Sequence, residues 1–173
     1  MTREYEEKDV YAALQERLKL IFEEFDNIYL SFSGGKDSGL LLNLVLDYRR
    51  EHFPDRKIGV FHQDFEAQYT VTTEYIERTF ERIKDEVEAY WVCLPMATRT
   101  ALSSYEMYWY PWDDTKKECW VREMPKKDYV IHLENNPIST YRYRMHQEDL
   151  AKQFGRFYKM SHGDKKTVCL LGI

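Results

Sequence analysis

The chain changes hydrophobic rhythm abruptly at Ser31-Phe32-Ser33-Gly34-Gly35-Lys36-Asp37-Ser38-Gly39, and this change restricts the fold more than any other feature. Upstream, Asn27-Ile28-Tyr29-Leu30-Ser31-Phe32 is a short, β-prone apolar run of the kind buried in a parallel sheet. Downstream, Leu40, Leu41, Leu44 and Val45 recur at helical spacing, with Leu42 and Leu46 widening the stripe. The expected unit is strand, tight glycine turn, helix. A helix start leaves its first N–H groups unpaired and carries partial positive charge, so such a junction suits a phosphate or sulfate group.

The residue types in the turn fit that chemistry. Gly34 and Gly35 can take positive φ and let the backbone approach an anion, with successive N–H groups forming a concave nest. Lys36 adds a mobile positive charge, and the hydroxyls of Ser33 and Ser38 are further donors. Asp37 would repel a bare phosphate; its roles are to order the loop, to help cap the helix, or to reach a Mg²⁺ carried by the phosphates. The plain alternative is a Gly-Gly turn that only joins two elements. Neither GxxxxGK[ST] nor GxGxxG spacing is present.

Flanking patterns repeat the unit. Asp9 to Phe25 reads as an amphipathic helix with Asp9 as N-cap, and the helix after the turn ends near His52, before Phe53-Pro54. Lys57 to His62 is a second strand, so strand, helix and strand form a βαβ unit with parallel strands. A helix from Tyr69 to about Lys84 and a strand over Val87–Leu94, closed by Pro95, follow. Periodicity then fails: 96–137 is an aromatic-rich insertion carrying Tyr105, Tyr108, Trp109, Tyr110, Trp112, Trp120 and Tyr129. It is read as a lid, as filling of the sheet flank, or as a partner surface. A helix from about Ser139 to Lys159 and a fourth strand over Thr167–Leu171 complete the pattern. The expected fold is α/β, a single doubly wound domain over 1–173 with helices on both faces of a parallel sheet of four countable strands.

Bulk properties narrow the function classes. Apolar content of 43% with 16% aromatics excludes general disorder, and a net charge of −5 argues against nonspecific nucleic-acid binding. Cys93, Cys119 and Cys169 form no CxxC pair and read as reduced intracellular thiols. The start, Met1 to Lys8, has no apolar signal core, and no run reaches membrane-spanning length, so a cytoplasmic protein with no membrane partner is expected.

Ser33-Gly34-Gly35-Lys36-Asp37-Ser38 resembles the SGGxDS PP-loop of the ATP pyrophosphatase superfamily, the adenine nucleotide α-hydrolase-like (HUP) group. From Tyr29 through Leu42 the string is most similar to the phosphoadenosine phosphosulfate (PAPS) reductase branch, which also holds IbrA-like prophage co-activators. The resemblance implies ATP or PAPS as ligand, with Mg²⁺ if ATP is bound. It implies anion contacts from Ser33, Gly34, Gly35, Lys36, Asp37 and Ser38, with Lys36 catalytic and Asp37 at the metal. It also places Phe61, His62 and Asp64, at the end of the second strand, against adenine and ribose, with backbone groups reading the base and the acid on a hydroxyl or metal, although Phe65-Glu66 replaces the Thr-Gly of the DTG-like segment. The plain alternative is a polar strand end facing water. Gly39 stands where many members carry Ser, Thr or Ala.

The implied chemistry is attack on the α-phosphate of ATP by an acceptor, releasing pyrophosphate. Thiol-dependent PAPS reduction is disfavoured because no cysteine matches the ECGxH motif. The alternative class is a nucleotide-sensing regulator working with a protein or DNA partner, such as a ParB-like nuclease. The family's last strand and its Arg and Glu-Ser anion contacts would lie beyond Ile173, so the chain is expected to be the N-terminal part of a longer protein or to have its site completed by another chain. Arg99 reads as a surface arginine, Cys93 and Cys169 as core thiols, and Cys119 as a thiol with basic neighbours. His132, His146 and His162 are too scattered for a zinc site. Tyr141-Arg142-Tyr143-Arg144 reads as the start of an amphipathic helix, with base stacking as the sharper alternative.

Overall fold

Strands that are apolar on both faces need helices on both sides of the sheet, and the computed structural model has that arrangement. It describes residues 8–172; the stretch 1–7, on which most of the leader reading rests, and Ile173 lie outside the described residues. In chain order the elements are α1 (Val10–Glu24), β1 (Asn27–Ser31), α2 (Lys36–His52), β2 (Gly59–Gln63), α3 (Thr70–Ile83) and β3 (Glu88–Val92). Then come β4 (Met96–Arg99), β5 (Tyr108–Trp109), a 3-10 turn (Asp114–Cys119), β6 (Val130–Ile131), β7 (Met145–His146), α4 (Gln147–Ser161) and β8 (Thr167–Leu171). Asp9 caps α1 as expected, its carboxylate accepting the Ala12 amide at 2.7 Å.

The main sheet is parallel, with order β6-β3-β2-β1-β8. Register pairs Tyr29 with Gly59, Phe61 with Tyr90, and Tyr29 with Cys169. Alternation along the strands sends Ile28, Leu30, Val60 and Trp91 toward a core shared with α1, α2 and α3. Tyr29, Phe61 and Val92 point the other way, onto Leu150, Phe154 and Tyr158 of α4. The first crossovers step outward from β1 on one face, whereas the connection through α4 returns on the other and lands beside β1. The switch point therefore falls between β1 and β8, directly below the glycine turn.

Several elements differ from the sequence reading, β4, β5 and β7 forming a separate three-stranded sheet in the order β5-β4-β7. The main sheet has five strands, not four, because Val130–Ile131 at the end of the insertion pairs with Trp91–Val92. The C-terminal helix starts at Gln147 instead of near Ser139. Tertiary contacts claim the intervening residues: Tyr141 donates its hydroxyl to the Pro95 carbonyl at 2.6 Å, Arg144 sits at positive φ paired with Asp113, and β7 pairs with β4. Among the described residues, no helix is long and apolar enough to cross a membrane.

Candidate functional site

The turn between β1 and α2 stands open. Ser33, Gly35, Lys36 and Asp37 are exposed, while Ser38 and Gly39 are buried beneath them. Gly34 has φ of 81°, the left-handed region, and a Cβ there would lie 2.6 Å from Ile76 Cγ1, so both conformation and space demand glycine. At Gly35 an added Cβ would meet only Ser33 Oγ, at 3.4 Å; that side of the turn faces solvent.

Hydroxyl contacts hold the turn from within. Ser38 donates to the Gly35 carbonyl at 3.0 Å, Ser33 Oγ and Ser38 Oγ lie 2.9 Å apart, and the Gly35 amide donates to Ser33 Oγ at 3.3 Å. Gly35 is the N-cap of α2, and no side chain caps the helix among the described residues, Asp37 included. Its first-turn amides and partial positive charge are thus presented outward, with the Lys36 ammonium beside them. At Gly39 a Cβ would lie 2.6 Å from the Tyr75 hydroxyl, so the tyrosine takes the space that a side chain would otherwise use. The end of β8 closes the inner wall: a Cβ on Gly172 would lie 2.8 Å from the Asp37 and Ser38 backbone.

The end of β2 lies next to this turn but is turned inward. Phe61 is buried on the α4 face, its ring stacked 4.1 Å from that of Phe154. His62 is fully buried on the opposite face and donates Nδ1–H to the Phe32 carbonyl at 2.7 Å, since a carbonyl can only accept. Burial lowers its pKa, which favours the uncharged ring; Nε2 has no hydrogen-bond partner among the described residues.

Asp64 also has no exposed surface. Its carboxylate accepts from Trp91 Nε1 at 2.6 Å, from the Glu66 amide at 2.7 Å, and at 2.6 Å on both oxygens from Arg122 Nη2. The expected position at the strand end is observed, yet this carboxylate is fully buried and committed to protein donors. Of the residues named from sequence, Ser33 to Asp37 gather at one open surface with Ser38 buried beneath it; the side chains of Phe61, His62 and Asp64 lie behind it.

The aromatic segment is what Asp64 and its neighbour hold in place. Glu66, buried and at φ of 61°, accepts the Trp112 amide at 3.0 Å and the Val121 amide at 2.9 Å. Its own carbonyl accepts Arg122 Nε at 2.9 Å, and the Asp64 carbonyl accepts the Trp112 indole at 3.2 Å. Trp112 enters the main core, with Trp120, Met124 and Tyr129 packed against it. Filling of the sheet flank therefore describes 110–131, whereas Leu102 and Tyr105, between β4 and β5, are almost wholly exposed. Glu66, Arg122 and Trp112 went unnoticed as anchors because their partners lie about fifty residues away in an aperiodic stretch.

The remaining candidates are dispersed. Arg99 is exposed, Cys93 is buried with its thiol pushed up in pKa chiefly by burial, and Cys169 is half-buried. Cys119 is exposed on the 3-10 turn. Among the described residues, no three His, Cys, Asp or Glu side chains cluster as a metal site would require. Cavities of ≈ 620 and ≈ 750 Å³ open beside the aromatic segment, away from the glycine turn.

No family model matches the sequence. The chain is similar to the uncharacterized protein YbdN of Escherichia coli (strain K12), 36% identical over 119 residues, covering 68% of this chain and 28% of YbdN. The match thus spans less than a third of that relative's length.

Proposed function

We propose that this chain is an adenine-nucleotide-binding domain of the PP-loop superfamily, nearest in motif to the PAPS reductase branch, with ATP or PAPS seated by its anionic groups on Ser33–Ser38. The supporting observation is the open, uncapped start of α2 at the switch point, with Gly34 held by Ile76 and Gly35 facing solvent. Loop amides and the Lys36 ammonium supply donors without a covering side chain.

With ATP, the reaction that this donor set serves is transfer of the adenylyl group to an acceptor. The loop amides and Lys36 would hold the departing pyrophosphate, and Asp37, exposed in the first turn, would reach a Mg²⁺ carried by the phosphates. When bound, that ion supplies charge neutralisation. Thiol-dependent reduction is not favoured, since Cys93 is buried against Asp64 and Cys119 stands on the exposed 3-10 turn of the insertion.

Calorimetric titration of the chain with ATP and PAPS, with and without Mg²⁺, tests the reading. Lys36→Ala is expected to weaken binding about 10- to 100-fold, the equivalent of a charge-assisted hydrogen bond. Absence of binding by either nucleotide refutes the assignment. Binding without pyrophosphate release, in a chain extended to the length of its relatives, selects the nucleotide-sensing regulator over the enzyme.

A further inference from the structure

Tyr108, Trp109 and Tyr110 are consecutive half-buried residues among the lining of the ≈ 620 Å³ cavity, together with Trp120. The Tyr108 ring packs on His146, Arg144 lies over Tyr110 and Lys117 over Trp120, which leaves the Trp109 ring without a cation among the described residues. Three carboxylates, Glu66, Glu106 and Asp113, line the same space against one ammonium, Lys116. Arg144 is paired with Asp113, but Glu66 and Glu106 form no ion pair among the described residues, so the lining keeps an excess negative charge. Lys116 is exposed, on a flexible stem that can turn to water.

The surrounding structure already shows what such walls attract. Arg144 lies 4.8 Å over the Tyr110 ring while paired with Asp113. Arg122 lies 4.8 Å over the Trp112 ring while paired with Asp64. Twice in this segment, a guanidinium is held by a ring face and a carboxylate together. The cleft offers the same two elements, Trp109 and Glu106, with space for a guest and no resident cation on either among the described residues.

We propose that this cleft is a binding site for an organic cation, an amine or guanidinium compound, with the Trp109 ring as the aromatic wall for the charge, Glu106 as its counter-charge and Glu66 adding negative charge to the lining. A carboxylate ligand would meet net repulsion there, and a cavity of ≈ 620 Å³ admits a small di- or polyamine. The site does not depend on the nucleotide reading. It adjoins a second cavity of ≈ 680 Å³ through Ala67 and Val121, and that cavity is bordered by Thr72, whose methyl lies 3.2 Å from the Cβ position of Gly34.

Calorimetric titration with agmatine, against glutarate and the uncharged benzyl alcohol as controls, tests the proposal. Saturable agmatine binding is expected, weakened about tenfold by Trp109→Ala and about threefold by Glu106→Gln, and reduced by added salt. Circular dichroism and the urea midpoint establish that each variant is folded; should Trp109→Ala unfold, Trp109→Leu and Glu106→Gln carry the test. The proposal is overturned if agmatine does not saturate, if glutarate or benzyl alcohol binds as tightly, or if folded variants bind like the parent chain. ATP titrated in the same series separates the two readings: lost nucleotide binding with agmatine binding intact refutes the loop assignment alone, and the reverse refutes the cleft alone.

Discussion

Replacing Arg122 by Met tests whether the insertion is keyed to the sheet by charge. Asp64 has a side-chain exposure of 0%, and Arg122, at 19%, is its cationic partner. The substitution keeps a long apolar stem over Trp112 but leaves the buried carboxylate with only the Trp91 indole and the Glu66 amide as close donors, plus a long contact from the Cys93 thiol. Breaking a buried pair from one side costs about 3–5 kcal/mol, against a total stability of about 5–15 kcal/mol for a domain. For a chain of this size the same loss lowers Tm by about 6–20 °C. Urea unfolding followed by tryptophan fluorescence and far-ultraviolet circular dichroism measures it. Arg122→Met/Asp64→Asn removes the stranded charge and should recover at least about 1 kcal/mol, a coupling that contacting residues show and distant ones do not. A loss under about 1 kcal/mol for Arg122→Met, additive with Asp64→Asn, would mean that the carboxylate is hydrated and the insertion is not seated on β2.

Gly39→Ala should destabilise, because its methyl meets the Tyr75 hydroxyl at 2.6 Å; combined with Tyr75→Phe it should become neutral or gain up to about 1 kcal/mol from helix propensity, read from urea midpoints. His162 donates toward Glu88 at 2.9 Å; burial opposes its charge, but Glu88 and the Tyr158 carbonyl prevail and raise its pKa. Its contribution is therefore full below the unfolded value of about 6.5 and lost as pH rises through the higher folded value; His162→Gln should flatten the dependence of the urea midpoint on pH across that window by under about 1 kcal/mol. Iodoacetamide should label Cys119 in the folded chain and reach Cys93 only on unfolding, as mass spectrometry of the peptides would show.

The sequence announced elements whose pattern is local. The apolar run at Ile28–Leu30 and the leucine spacing of α2 report burial within a few residues of themselves, and both elements form as expected. The open turn is legible for the same reason: Gly34 and Gly35 are adjacent in sequence and act together. Val130–Ile131 is too short to show a period, and its place in the sheet depends on Trp91, far back in the chain. The inward commitment of Asp64 was equally hidden, because a strand-end carboxylate looks the same whether it meets a ligand or an arginine 58 residues later. The late start of α4 follows from Arg144 and Tyr141 being drawn to Asp113 and Pro95, contacts that helix propensity cannot report.

A helix without a side-chain cap delegates its first turn to whatever is dissolved around it. If α2 seats an anion as proposed, the choice of buffer becomes a structural variable: phosphate or sulfate would finish the helix where chloride does not. Handling in different salts would then shift the thermal midpoint and the rate at which the opening amides exchange with deuterium, before any nucleotide is added.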